Sequence, residues 1–439
     1  MDQASFLGLG ALGYGALCQF NWIYNKPMSM VGLRRFHENL GYGLLGRRVE
    51  RSPLPFTRDR WVYCRGPQHV AMTDTPRPRA EVHNWFRERA YVPIDPEDGP
   101  SWHLGALPLY DGGTAVSLVA SHTVVDGLGF VSAIADAASG RTRDLGYPGP
   151  GSRSRRRAIA EDGRQFIAST PQLGRALRAT IRLARQRRMG VAASFKRSGP
   201  RSTRKLGREL AVVVPTATAF IGLDDWDVRA RAIGGNSHTL LAGFASRVGV
   251  RLGRVDGNGM VTLSLPISDR TADDTRGNAM VLPVASVDPT NLASDLSDVR
   301  IKAKQAFADL AATSDQVLAP LPLTSVAPKW LARRAAQIGM GSAQLPIGCS
   351  NLGDFDPAVN RPDGTDAAYA SGRLIEPGIT KRVLDGMRGQ LFVVSGRIHG
   401  RVFISVNAYL DGMEKSQDAL REVTERTLAE FDLSAEIFC

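Results

Sequence analysis

Cysteine is scarce: the 439 residues hold four, Cys18, Cys64, Cys349 and Cys439, all far apart. No pair has the spacing of a zinc site or a redox dithiol, so neither a metal centre nor a disulfide framework organises the chain. A reducing, cytoplasmic setting is then the default. Aromatic residues make up 7% and hydrophobic residues 43% of the sequence, which is an ordinary globular composition. Long apolar runs are missing too. Residues 1–20 are apolar but broken by glycines, and they lack both a basic start and a small-residue cleavage site, so neither a signal peptide nor a spanning helix is expected there. Nothing resembles a flavin or nicotinamide pattern, and no cofactor is expected.

Acidic residues are nearly absent from one stretch. Residues 141–208 carry 19 Lys/Arg against 3 Asp/Glu, while the rest of the chain sums to −4, so this single segment produces the net charge of +12. Residues 140–154 are rich in Gly, Pro and Ser and read as an exposed linker. Beyond them Leu173, Leu177, Ile181 and Ala184 form an apolar stripe, with Arg175, Arg178, Arg182 and Arg185 at helical spacing on another face. Three readings of this basic amphipathic helix compete: a solvated helix packed on the body by its stripe, a surface for an anionic membrane or acidic partner, and a nucleic-acid site. The last ranks lowest, because only Phe166 and Phe195 offer stacking platforms. No nucleic-acid partner is expected.

What is present centres on residues 120–130, Ala-Ser-His-Thr-Val-Val-Asp-Gly-Leu-Gly-Phe. The preceding Thr-Ala-Val-Ser-Leu-Val reads as a buried strand after an Asp-Gly-Gly turn, and residues 101–110 read as its hairpin partner. The strand therefore delivers His122 to its C-terminal end, and residues 128–138 continue as a helix. A plainer reading makes His122 a buried strand-end histidine and Asp126 the cap of that helix. His37, His69, His83 and His103 sit among polar or turn residues and read as surface or structural histidines.

His122-x-x-x-Asp126-Gly127 resembles the active-site motif of the chloramphenicol acetyltransferase-like superfamily, which includes condensation domains, wax ester synthase/diacylglycerol acyltransferases and plant BAHD acyltransferases. Three further stretches resemble it in the same order. Pro266-Ile-Ser-Asp-Arg270, followed by Gly277-Asn278, is similar to the loop whose arginine pairs with the motif aspartate. Asn236-Ser-His-Thr-Leu-Leu resembles a helix start of the wax ester synthases, with His238 an ordinary first-turn residue. Ser350-Asn351-Leu352-Gly353 resembles the Ser-Asn-x-x-Gly signature. The chain departs from the wax ester synthases at Ser121, where they have a first histidine, and at Asp354-Phe355.

The resemblance implies an α/β (α+β) fold of two chloramphenicol acetyltransferase-like subdomains with the active-site channel between them. Residues 1–150 would form the first subdomain, 151–208 the basic helical linker and 209–439 the second. It implies His122 as general base, Asp126 and Arg270 as a structural ion pair, and Gly127 as the place where the donor arm comes close. Ser350 and Asn351 are candidates for the oxyanion or the channel. The implied donor is an acyl-CoA or a phosphopantetheinyl carrier-protein thioester, and the implied acceptor an alcohol or amine. Two alternatives stay open: a non-catalytic protein that binds acyl chains or a carrier, and a peripheral membrane-binding protein acting at the inner membrane face. Residues 209–215, 260–267, 278–287, 391–397 and 402–409 are expected as strands, and 237–252, 292–312 and 416–431 as helices.

Overall fold

A computed structural model describes residues 15–55, 57–191, 211–271, 273–318, 323, 346–410 and 417–439. Most of the apolar N-terminal stretch and the end of the basic segment, residues 192–208, lie outside the described residues. Two sheets organise the rest. The first has five strands in the order β13 (Tyr369–Ile375), β1 (Leu17–Tyr24), β6 (Thr114–Ser121), β5 (Trp102–Pro108) and β4 (Ala71–Met72). The second has seven, in the order β11 (Val284–Val287), β8 (Val261–Ser264), β12 (Ile347–Asp354), β14 (Gln390–Ile398), β15 (Arg401–Tyr409), β7 (Thr216–Gly222) and β16 (Glu436–Phe438). Two ribbons pair β2 (Arg47–Glu50) with β3 (Arg60–Tyr63), and β9 (Ile267–Ser268) with β10 (Met280–Val281).

The expected hairpin forms. β5 and β6 run antiparallel with Pro108 opposite Thr114, and the turn between them needs Gly112 at φ +82°, a backbone region that strains other residues. All eight residues of β6 are buried, and so are all eight of β1 beside it. Helices α1 (Met30–Leu40), α2 (Val82–Ala90) and α3 (Gly127–Ala138) belong to this half. In the second half α5 (Leu223–Ala232) precedes α6 (Ser237–Arg251), whose cap is a full capping box: Asn236 accepts from Thr239 N, and the Thr239 hydroxyl accepts from Asn236 N. Helices α7 (Ser297–Leu318), α8 (Lys381–Gly386) and α9 (Gln417–Glu430) follow.

β13 comes from the second half of the sequence yet pairs with β1, seven residues in register. The sequence reading assigned all of 209–439 to the second half; here the chain crosses back. The core crosses with it, since Phe20 of β1 stands 6.0 Å from Phe355 and 6.4 Å from Phe403. Burial of aromatic surface on this scale joins the two sheets into one body.

Proline accounts for three displaced boundaries. The strand expected over residues 209–215, of which 209 and 210 lie outside the described residues, begins at Thr216, after Pro215, and β8 and β9 are separated by Pro266, as β10 and β11 are by Pro283. Proline supplies no N–H to a ladder, so pairing resumes beyond it. The helix expected from residue 292 begins at Ser297, because Leu292 and Leu296 are already buried in the core as part of the approach.

Helix α4 (Arg155–Val191) is far longer than the stripe alone requires. The reading in which that stripe packs on the body is corrected at its middle: Leu177 and Ile181 are 51% and 44% exposed, Leu173 is half-buried, and among the side chains described in this helix the buried ones are Ala158, Asp162 and Ala176. Asp162 explains the docking edge, since Arg153 donates to it at 2.5 and 3.0 Å. At 100° per residue the buried edge lies beside, not under, the apolar stripe.

Candidate active site

β6 ends at Ser121, and His122 opens the turn into α3. His122 N donates to Ala16 O at 2.9 Å, and its own carbonyl accepts from Asn278 Nδ2 at 3.1 Å. The backbone is thus held from both sides. The ring's pKa is lowered, first by burial; a hydrogen bond to its own backbone carbonyl, the Asp126 charge and Asn278 pull in the opposite sense. Burial wins, and it favours the neutral ring. Ser121, just before His122, is buried, and its Oγ accepts from Thr123 N at 3.2 Å.

Asp126 is 1% exposed. Its Oδ1 accepts from Gly129 N at 2.7 Å and so caps α3, while its Oδ2 accepts from Arg270 Nη2 and from Ala279 N, each at 2.7 Å. The plainer capping role and the expected ion pair are therefore both present on one carboxylate. Arg270 also donates to the carbonyls of Asp274, Arg276 and Gly277. A Cβ at Gly129 would come within 3.1 Å of the Arg270 guanidinium. The glycine makes room for the arginine.

A second arginine, which the sequence reading did not single out, completes the frame. Arg47 of β2 is fully buried, lies 4.1 Å over the Trp61 ring, and donates to Val124 O at 2.7 Å and Thr275 O at 2.5 Å. It bridges the His122 turn and the Arg270 loop. Its only sequence signal is an arginine in an alternating strand, which does not separate it from a solvent-facing one.

His122, Asp126 and Gly127 line a cavity of about 1080 Å³ between the two sheets, together with Ser350 and Asn351 of β12 and His238 of α6. That volume is at the upper end for small-molecule sites. Arg270 stands behind the wall, on Asp126. The Asn351 carbonyl oxygen accepts from Gly353 N at 2.9 Å, which leaves its amide N–H groups as the donors. A Cβ at Gly127 would meet Leu352 at 3.0 Å. Burial lowers the His238 pKa, with Arg397 adding to the effect. Two thiols, Cys18 and Cys349, also line the cavity; burial raises both pKa values, Cys349 to about 12. Neither supplies a thiolate near neutral pH.

No protein-family model matches the chain, and no curated protein does. Solved structures match over nearly its whole length. The first condensation domain of the calcium-dependent antibiotic synthetase, in complex with a substrate analogue, is 16% identical over 98% of this chain and 94% of that one, with a TM-score of 0.56. The wax ester synthase/diacylglycerol acyltransferase from Marinobacter aquaeolei VT8 is 14% identical over 98% and 97%, with a TM-score of 0.53. A mutant starter condensation domain of rhizomide synthetase, in complex with C8-CoA and Leu-SNAC, is 14% identical over 97% and 91%, with a TM-score of 0.52.

Proposed function

The chain has the chloramphenicol acetyltransferase-like fold of condensation domains and wax ester synthases, and from it we propose an acyltransferase that moves an acyl group from a CoA or carrier-protein thioester to an alcohol or amine. The observation that carries the reading is His122 itself: an imidazole on the wall of a large apolar cavity, its pKa lowered by burial, on a turn fixed by the Asp126–Arg270 pair. The complex of a similarly folded domain with C8-CoA supports a thioester donor.

In the proposed reaction His122 takes the proton of the acceptor O–H or N–H as that oxygen or nitrogen bonds to the thioester carbonyl carbon. Collapse breaks the C–S bond, and the proton passes from the imidazolium to the departing sulfur, releasing free thiol. Direct attack needs no covalent enzyme intermediate, and the raised pKa values of Cys18 and Cys349 disfavour one on either thiol. The Ser350 hydroxyl and the Asn351 amide are the donors assigned to the carbonyl oxygen as charge develops there. The test is incubation with acyl-CoAs of varied length and candidate acceptors, following free thiol. Acceptor-dependent release supports the reading; release that ignores the acceptor overturns it in favour of a thioester hydrolase, and no release above the spontaneous rate, with CoA and carrier-bound donors alike, overturns it in favour of the non-catalytic binding protein.

A pH profile checks the base. Because burial depresses the His122 pKa, the acid limb of kcat/KM is centred below the ordinary histidine value of about 6.5. An acid limb centred above pH 6.5 would contradict the assigned environment.

The face of α4 supports a second element of the reading, attachment to an anionic lipid surface. Ile159, Phe166, Ile167, Leu177 and Ile181 are exposed along about 33 Å of helix, flanked by Arg164, Arg175, Arg178 and Arg182. No helix among the described residues is long and apolar enough to cross a membrane. The protein is expected to sediment with phosphatidylglycerol-containing vesicles and to leave neutral ones. Replacing Arg175, Arg178 and Arg182 by Gln should weaken this by about a hundredfold, at roughly 1 kcal/mol for each charge. Equal binding to neutral vesicles would sink the proposal.

A further inference from the structure

The cavity has a second polar wall that the transfer step does not use. β1 pairs Leu17 with Ser121 on one side and with Ile375 on the other. The pairing runs on beyond these residues: His122 N donates to Ala16 O, and Gly15 N donates to Pro377 O at 3.1 Å. His122, Ala16 and Glu376 are therefore directly opposite one another across three neighbouring strands. Residues in that relation project from the same face, and two strand spacings separate the outer Cα atoms by about 10 Å. Ala16 is the residue between them in that row. Leu374 and Gly372, two and four residues before Glu376, line the same cavity with His122 and Glu376.

Gln390, the first residue of β14, is 7% exposed and lines the cavity beside Glu376, to which its side chain is hydrogen-bonded. Two acceptors are left over, because Glu376 Oε2 and Gln390 Oε1 are both buried without a hydrogen-bond partner among the described residues. Neighbouring cations do not fill the gap. Arg373 stands at an odd position of β13 and donates to Gln19 Oε1 at 2.7 Å, while Arg254 donates to the carbonyls of Arg388 and Pro346. Leaving two such oxygens desolvated is costly unless a donor arrives. Burial also raises the Glu376 pKa to about 7, so an arriving positive charge stabilises its ionised form at neutral pH.

We propose that Glu376 and Gln390 form a recognition site for an ammonium group on the acyl acceptor, whose nucleophilic atom lies at His122. This rests on the acyltransferase reading and specifies its acceptor: a bifunctional molecule with the ammonium nitrogen roughly four to six bonds from the nucleophile. The ammonium donates to Glu376 Oε2 and Gln390 Oε1 and offsets the buried charge.

The test compares linear amino alcohols of three to seven carbons with the plain alcohols of equal length. In wild type kcat/KM favours the amino alcohol by about ten- to a hundredfold at the best length, as a hydrogen bond to a charged group allows. In Glu376→Gln, which keeps the shape and removes the charge, the ratio falls to about one, and Gln390→Met lowers it as well. A wild-type ratio near one, or a ratio unchanged in both variants, overturns the proposal. Calorimetric binding of the amino alcohol to His122→Ala protein reads the subsite without turnover. Binding that Glu376→Gln abolishes sustains the subsite even if acyl transfer fails, and its absence refutes the subsite even if acyl transfer succeeds.

Discussion

His122→Ala protein is expected to lose about 10²–10⁴-fold in acceptor-dependent thiol release, the range a positioned general base supplies, while its unfolding midpoint stays close to that of wild type. The two halves of the prediction follow from different atoms. The structural contacts of residue 122 are made by its backbone, whose N–H donates to Ala16 and whose carbonyl accepts from Asn278. Alanine keeps both. The side chain, by contrast, faces the cavity, and its removal takes away the proton acceptor without opening the Asp126 cap. Residual release would come from holding donor and acceptor together, and it should lack the acid limb below pH 6.5. Thiol release measured beside a denaturation curve decides the matter. Equal rates in variant and wild type would show that His122 is not the base.

Breaking the pair behind the histidine should act in the other order, on stability first. Asp126→Ala leaves the Arg270 guanidinium buried against backbone carbonyls with its charge uncompensated, and it removes the acceptor of Gly129 N and Ala279 N. Removing one partner of a buried pair costs about 3–5 kcal/mol, and the lost helix cap adds about 1 kcal/mol. Arg270→Ala strips the opposite side and frees the loop that carries Asn278. Activity falls in both variants because the His122 turn loses its support, although the imidazole is still present. The double variant is expected to cost clearly less than the two singles together, since each single already breaks the same interaction. Arg270→Lys should not rescue, because an ammonium cannot reach the carboxylate and three carbonyls from one plane. Additive losses in urea denaturation would mean that the two residues act independently, contrary to the 2.7 Å contact.

The reactive end of the site was legible because it is local. A strand, a histidine, a turn and a helix cap occupy consecutive residues, so period, turn chemistry and capping preference agree at each step from Thr114 to Ala138. Asn236 was legible for the same reason. Arg270 was found only by resemblance, since nothing in residues 266–278 says which of their two arginines turns inward; Arg270 does, and Arg276 pairs instead with Asp274 and Asp269 at the surface.

Elsewhere pattern was not enough. β1 alternates apolar and polar residues from Cys18 to Trp22, but both of its faces are buried, Gln19 and Asn21 included, so the alternation marks no solvent face. The stripe on α4 has the period of a packed face and is nevertheless exposed at Leu177 and Ile181, because burial depends on what stands opposite and the body offers Arg153 to Asp162 instead.

By itself, the sequence determined the local pieces of this protein: a histidine at a strand end, a capped helix after it, a basic segment apart from an otherwise slightly acidic chain, and no spacing for a metal or disulfide. Tertiary structure alone decided what those pieces face. Pairing β13 with β1 set Glu376 two strands from His122, and packing β2 under the turn brought in Arg47. The physical reason is separation along the chain: contacts between residues 77 or more positions apart leave no periodic trace in either segment, and they exist only once the chain has folded back on itself.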